Sequence, residues 1–488
     1  MCATTASDIN CTNSGTADGF ASQTTGGGNA AVTNSGNNIA NGMLAQTVNG
    51  GNATATNTGS DTGNVNAVTF VNGNATVTNS GSIMGGIQAR TLSGGNAAAT
   101  NSGSVTGGVA AVTLGGGTAT ATNSGSNANG TAAITMAGGD ATATSSGTTN
   151  GLAAITAGGG NATATSSGIN SGGTAAVTTA GGNASATNSG SNTSGILAET
   201  LGASGNATAI NSGSNTGGIV ALAVFGNATV NNSRSNTGGA EAISIFGNAI
   251  AINSGSNSDG LVAQSTTGNA TVINSGVARS SAPFEAIDVE AGATGNATLT
   301  NVVGARVIGG IFMSGATDTV NFVGGNWLLS IELGSGNLAI NTGGAPFVVV
   351  PTATGSQVAV LDPTAFALAD RALVNFTGGV SQILQDRFNG MAASAGGPVA
   401  LGFAALTNSG AADTAQAAFA GIPTLATSYA SDSRPLIGKA AAAAPAHYDT
   451  TVWASGFGGE RRQHADGSIL PATDTAYGGA MGVDRIVS

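Results

Sequence analysis

The sequence predicts an all-β chain built as a right-handed parallel β-helix, a solenoid of about 22 residues per rung. Three observations carry that prediction. One sentence of residues recurs every 21 to 23 positions, the residues inside it alternate with a period of two, and the composition leaves no material for a globular core. A fixed period in this range marks a solenoid, whose repeats bury their faces only against their neighbours.

The repeat runs from Cys11 to about Asn301, typically as Gly-Asn-Ala-Thr-Ala-Thr-Asn-Ser-Gly-Ser-Asn-Thr-Gly-Gly followed by a short aliphatic run. Its opening Asn falls at Asn29, Asn52, Asn74, Asn96, Asn161, Asn183, Asn206, Asn227, Asn248, Asn269 and Asn296, with Thr118 and Asp140 in the same slot. A second Asn follows five residues later, from Asn34, Asn57 and Asn79 through to Asn274 and Asn301, replaced by Ser145 and Ser166 in two repeats. Residues 11–301 therefore hold about 13 rungs, and stacking them about 4.8 Å apart gives a rod of roughly 60 Å.

Between the two Asn positions Ala53 and Ala55, Ala75 and Val77, or Ala228 and Val230 alternate with Thr54 and Thr56, Thr76 and Thr78, Thr142 and Thr144. Alternation of this kind makes a strand with the Ala/Val row inward and the Thr row outward. A second strand follows the Gly-Gly pair. Ile87, Ala89 and Thr91 share its inward face, while Gln88, Arg90, Glu199, Glu241 and Gln264 mark the outward one. Asn-Ser-Gly and Gly-Gly suit the bends between them. Stacked Asn side chains can link one rung to the next through their amides.

Composition narrows the alternatives. Gly contributes 81 of 488 residues, aromatic residues 4% and charged residues 7%, against about 25% charged in ordinary globular chains. Apolar residues at 41% and in strict positions argue against low-complexity disorder. A net charge of −11 excludes the basic footprint of a nucleic-acid binder. Cys2 and Cys11 are the only cysteines and read as incidental thiols near a frayed end. Met1-Cys2-Ala3-Thr4-Thr5-Ala6-Ser7-Asp8 has neither the basic nor the apolar region of a signal peptide.

After Asn301 the character changes. Residues 302–361 hold longer apolar strands, Trp327–Leu333 and Phe347–Val350 among them, and read as terminal rungs with a fuller core that closes the open end. Residues 362–390 start at Asp362-Pro363 and carry Phe366, Leu373, Val380, Ile383, Leu384 and Phe388 at helical spacing, interrupted at Gly378-Gly379. Residues 391–446 are rich in Ala, Gly, Pro and Ser and read as a flexible linker. Residues 447–488 read as strands again.

These last segments resemble a family. Leu361-Asp362-Pro363-Thr364-Ala365-Phe366, with Asp370-Arg371-Ala372-Leu373 and Phe376-Thr377-Gly378-Gly379-Val380, looks like the helical linker of bacterial autotransporters. Val452-Trp453-Ala454-Ser455-Gly456-Phe457-Gly458-Gly459-Glu460-Arg461-Arg462-Gln463 is similar to the opening strand of their translocator barrel, and Ala476-Tyr477-Gly478-Gly479-Ala480-Met481-Gly482-Val483-Asp484-Arg485 to the next one. The resemblance implies a β-helical passenger, a helix through a pore and an outer-membrane barrel. It further implies a place on the outer membrane or cell surface, with partners in host or neighbouring-cell surfaces and, for a complete barrel, the barrel-assembly machinery. Family barrels have twelve strands and must close in lipid. Residues 447–488 supply about two, so the chain as written is expected to be a fragment or the product of a disrupted gene.

Chemistry is sparse. His447 and His464 are the only histidines, lie outside the repeats and have no metal-ligand spacing. Seryl and threonyl nucleophiles need a base held against them, and the repeats contain neither His nor Lys. Asp140 follows Gly138-Gly139 as in calcium-binding nonapeptides, but the rest of that pattern is missing. Carboxylates are scattered singly, and Asn-x-Thr triplets arise automatically from the repeat. No catalytic, cofactor or metal site is expected. The expected function is therefore a non-catalytic, adhesin-like passenger rod. A Thr-x-Thr ice-binding lattice is the alternative, and a passenger enzyme with no recognisable site stands behind both.

Overall fold

The computed structural model describes residues 7–280, 285–362, 373–374, 376–381, 383–385, 450–463 and 472–485. They divide into two units: Met1–Asn341 with Val348–Ala359, and Thr342–Phe347 with Val360–Ser488.

The first unit is a right-handed parallel β-solenoid of about 15 turns. Each rung has three strands, as in Ala53–Asn57, Ser60–Asp61 and Val65–Thr69. Equivalent strands of the repeats pair in parallel and in register: Ala53, Ala75, Ala97, Ala119 and Ala141 stand in one line. The ladder begins at Ile9–Asn13, around the Cys11 where the repeat starts, and that strand pairs with Ala30–Asn34. Strands of two or three residues at the corner form a 14-stranded ladder of their own. They lie in what the sequence offered only as a bend.

Inward and outward rows are those the alternation dictates. Ala53, Ala55, Ala75 and Val77 are fully buried, as are Ala67, Ala89, Ala111 and Ala133 in the facing strands. The core is thin, and polar ladders hold it as much as apolar contact does. Asn34 Nδ2 donates to Asn57 Oδ1 at 2.8 Å, Asn57 to Asn79 at 2.9 Å, Asn79 to Asn101 at 2.8 Å and Asn101 to Asn123 at 2.7 Å. Every one of these side chains is buried. A buried amide satisfied on both sides contributes, whereas an orphaned one costs about 1–3 kcal/mol.

Two further devices explain the recurrent residues. The opening Asn uses its Oδ1 to accept the backbone N–H of the next opening residue, as Asn29 does for Asn52 at 2.8 Å and Asn52 for Asn74 at 2.9 Å. Asp8 starts the series by accepting from Asn29. At the other end of the rung, Thr69, Thr91 and Thr113 are inward and donate to the carbonyls of Gly73, Gly95 and Gly117. Gly117 is required there twice over: its φ is +93°, and a Cβ would overlap the Gly95 carbonyl oxygen of the rung below.

The Asn ladder is broken once. Asn123 Nδ2 reaches Ser145 Oγ at 3.3 Å, but Ser166 Oγ and Asn188 Oδ1 are buried without partners. Replacing Ser145 and Ser166 together by Asn should bridge the gap and stabilise the central rungs by about 1 kcal/mol per restored bond. Thermal and denaturant unfolding of the double variant measure it. A lowered midpoint would show that the gap is filled by something the ladder cannot replace.

Near the C-terminal end the two long ladders converge. The first part of Ile311–Val323 pairs with Ile287–Glu290 and the rest with Asn296–Val302, so one continuous strand replaces the turn that elsewhere separates a second strand from the first strand of the next rung. Phe322, Trp327, Leu329 and Ile331 are buried here. The Phe322 and Trp327 ring centroids are 5.7 Å apart. Phe347–Pro351 is a strand, but its Phe347, Val348, Val349 and Val350 are exposed rather than part of that core. Cys11 is disulfide-bonded, not the incidental thiol its position suggested, and the only other cysteine, Cys2, lies outside the described residues.

In the second unit, residues 373–374, 376–381 and 383–385 are helical, and the helix continues through Gly378 and Gly379 where the sequence pattern is interrupted. Thr377 Oγ1 there donates to the Leu373 carbonyl at 2.8 Å. Thr450–Gln463 and Ala472–Arg485 pair antiparallel over their full length, from Thr450 opposite Arg485 to Gln463 opposite Ala472. The proposed 391–446 linker, like His447 and His464, lies outside the described residues.

Candidate functional site

Because the inward rows serve the ladders, chemistry directed at a partner must come from the outward rows. There are three such faces on the solenoid, one per strand.

The face of the first strand is hydroxylated. Thr33, Thr56, Thr78, Thr100, Thr122 and Thr144 stand in register on consecutive rungs, and Thr165 and Thr187 extend the row. The parallel row beside it is Thr54, Thr76, Ala98, Thr120, Thr142 and Thr163, interrupted once by Ala98. The corner strands present Ser60, Ser82, Ser104 and Ser126, all exposed.

The face of the second strand is different. Its polar residues, which marked it as outward in the sequence, stand at the margins of an aliphatic field. One row reads Arg90, Val112, Ile134, Ile155, Val177 and Glu199 on six consecutive rungs. The adjoining row reads Gln88, Ala110, Ala132, Ala153, Ala175 and Leu197. Beside the alanines the Gly-rich corners leave a groove of about 820 Å³ running from Asn64 to Val220, with the Ala row as part of its floor. A strand apolar on both faces reads as a continuous run, and Val109–Thr113 or Leu152–Thr156 carry that signal in sequence. The polar residues at either end hid it.

Isolated features are structural. Asp140 Oδ1 accepts the Asn161 backbone N–H at 2.7 Å and its Nδ2 at 3.2 Å, so it replaces an opening Asn rather than offering a calcium ligand. The opening Asn of Asn52-Ala53-Thr54, a glycosylation-type triplet, is likewise engaged in its ladder. Phe225 and Phe246 stack on successive rungs with centroids 4.9 Å apart, each about half exposed. Among the described residues no group of three or more His, Cys, Asp or Glu side chains could hold a metal ion.

Three carboxyls are perturbed. Burial pushes Asp61 above the usual carboxylate range, against the lowering effect of hydrogen bonds from the Asn38 amide and the Gly63 backbone N–H. Asp288 is pushed up to about 7 by burial and then by the charges of Glu290 and Glu285. Asp318 occupies the inward row next to Ala297 and Leu338, and burial pushes it up to about 6. Both Asp318 oxygens are buried without hydrogen-bond partners.

A carboxyl whose folded pKa lies above its ordinary 3.8 stabilises the fold fully below that value and loses the contribution as pH rises through the folded pKa. The C-terminal rungs should therefore weaken between pH 4 and pH 8. Asp318→Asn should remove part of that slope and raise stability at pH 8. Hydrogen exchange across residues 296–341 at the two pH values measures it, and a slope unchanged by the substitution would assign the pH response elsewhere.

No family model, curated protein or solved structure matches the chain, so its surfaces are read from their own geometry.

Proposed function

We propose that the chain is a non-catalytic, adhesin-like rod, the β-helical passenger of an autotransporter displayed at the outer membrane or cell surface. The observation that carries this reading is the parallel solenoid of about 15 turns, whose recurrent inward residues serve stacking and whose outward rows repeat as long lateral surfaces. Such a rod meets partners along its length, and the aliphatic field of the second strand is an extended, partly exposed apolar surface on it. The antiparallel pair Thr450–Gln463 and Ala472–Arg485, each of 14 residues, supports the translocator part of the reading. Strands of about 9–11 residues suffice to cross an outer membrane. Host or neighbouring-cell surface components would be the partners, with the barrel-assembly machinery serving the barrel; nucleic acid is disfavoured by the net charge of −11.

The in-register Thr rows favour a second reading, an ice-binding lattice, because they form a flat array of hydroxyls on consecutive rungs. The array decays at Ile210, Asn231, Ile250, Ile252 and Ile273, which argues for the contact role. Beads coated with the full chain separate the readings. Saturable attachment to cell surfaces or to one another, competed by soluble chain, supports the adhesin-like rod. Thermal hysteresis without attachment supports the lattice, and turnover of a polysaccharide or peptide without attachment supports an enzyme.

A further inference from the structure

The aliphatic field of the second strand is symmetric in a way that names its partner. Along the rungs its outer row reads Arg90-Val112-Ile134-Ile155-Val177-Glu199. Reversed, the same row reads acidic, Val, Ile, Ile, Val, basic. Two such rows laid face to face with the rods antiparallel bring Ile134 opposite Ile155, Val112 opposite Val177 and Arg90 opposite Glu199, twice over. The next rungs continue the match, with Val68 opposite Leu222.

We propose that this face pairs with the same face of a second copy of the chain, through a two-fold axis that lies in the interface along the strand direction and centres between Ile134 and Ile155. An axis in that direction reverses the order of the rungs but keeps each row opposite itself, as an isologous interface requires. A two-fold along the rod would instead set the Arg90 row against the Gln88 row, leaving both charges without partners. Within its own row Arg90 has Val68 and Val112 as neighbours, and Glu199 has Val177 and Leu222. Arg90 Nε is buried with no hydrogen-bond partner. Arg90 and Arg234 are the only cations before Arg279, so a basic residue at one end of an aliphatic row and an acidic one at the other is not a product of general surface charge.

The extent of the face sets the strength. Eight rungs at about 4.8 Å by a five-residue strand at about 3.3 Å per residue give roughly 600 Å² per copy. That lies at the low end of specific interfaces, the range of weak and reversible contacts. Such a contact suits rods brought together in numbers, where many weak pairings act at once. The pairing stands on the face itself and supplies one partner for the contact role proposed above.

Sedimentation equilibrium of the full chain tests it. The native chain should show a concentration-dependent dimer. Arg90→Glu and Glu199→Arg should each weaken it by at least about tenfold, because each places like charges opposite one another at both ends. The double charge reversal should return affinity to near the native value, and Ile134→Glu should abolish the dimer while circular dichroism stays native. A chain that is monomeric at all concentrations, a double reversal no better than either single one, or a dimer indifferent to Ile134→Glu would overturn the proposal. A monomeric chain that still attaches coated beads to cells would refute the pairing and leave the adhesin-like reading intact.

Discussion

Replacing Asn101 by Ala is expected to destabilise the rungs around it by about 2–4 kcal/mol, more than most single substitutions in a chain with so thin a core. Asn101 accepts from the Asn79 amide and the Gly103 backbone N–H, and donates to Asn123 Oδ1 and the carbonyls of Gly103 and Ser126. Truncation removes all five bonds at once and interrupts the chain of amides that polarise one another in a low-dielectric interior. The partners left behind, Asn79 and Asn123 among them, are fully buried. In a solenoid the loss propagates only to neighbours. Hydrogen exchange should therefore show deprotection centred on residues 75–127 with distant rungs unchanged. Uniform loss of protection, or none, would contradict the ladder's assigned role.

Ala111→Phe is expected to be at least as damaging, at more than about 3 kcal/mol. Ala111 stands between Ala89 and Ala133 in a row that is fully buried, and the opposite wall of the rung is another Ala/Val row. A ring added there has neither cavity nor flexible neighbour to displace, and each rung is clamped above and below by backbone pairing. Thr142→Ser, on an outward row, should change stability by less than about 0.5 kcal/mol. Denaturant midpoints of the two variants decide the matter. Equal tolerance would mean that the inward and outward rows are exchanged.

The fold was legible because the repeat is written in two periods at once. The interval of 21 to 23 residues announces rungs, and the Ala/Thr alternation within Asn52–Asn57 announces a strand and its inward face. The second Asn could be read as a stacking row because its slot varies only to Ser145 and Ser166. The corner ladder was harder to see. A two-residue strand such as Ser82–Ile83 has no room for alternation, and its inward slot holds Asn38, Asp61, Ile83 and Val105 in turn, a mixture with no type signature. Asp8 is not legible in sequence as the first member of the outer ladder, because a single carboxylate standing in for an amide leaves no pattern without its partner, the Asn29 N–H.

The candidate surface was half legible for a related reason. Gln88, Arg90, Glu199 and Glu241 established which side of the second strand faces outward. The same residues suggested a polar face, whereas Val112, Ile134, Ile155 and Val177 make it aliphatic in the middle. Orientation is a property of one strand, and periodicity reveals it. The character of a face is a property of many rungs read across the chain, and it emerges only once the register is known. The symmetry between Arg90 and Glu199 belongs to that second kind of information.

Position along the rod advances by a single rung per repeat, and every surface row follows from that geometry. Pulsed electron–electron resonance between spin labels on outward Thr positions measures this directly. Thr54 and Thr142 are four rungs apart and Thr54 and Thr229 eight, joined through consecutive parallel pairings. Labels introduced by Thr54→Cys with Thr142→Cys, and by Thr54→Cys with Thr229→Cys, should give mean distances near 19 Å and 38 Å, growing linearly at about 4.8 Å per rung. Distances that do not double between the two pairs would contradict a continuous parallel solenoid and every surface row built upon it.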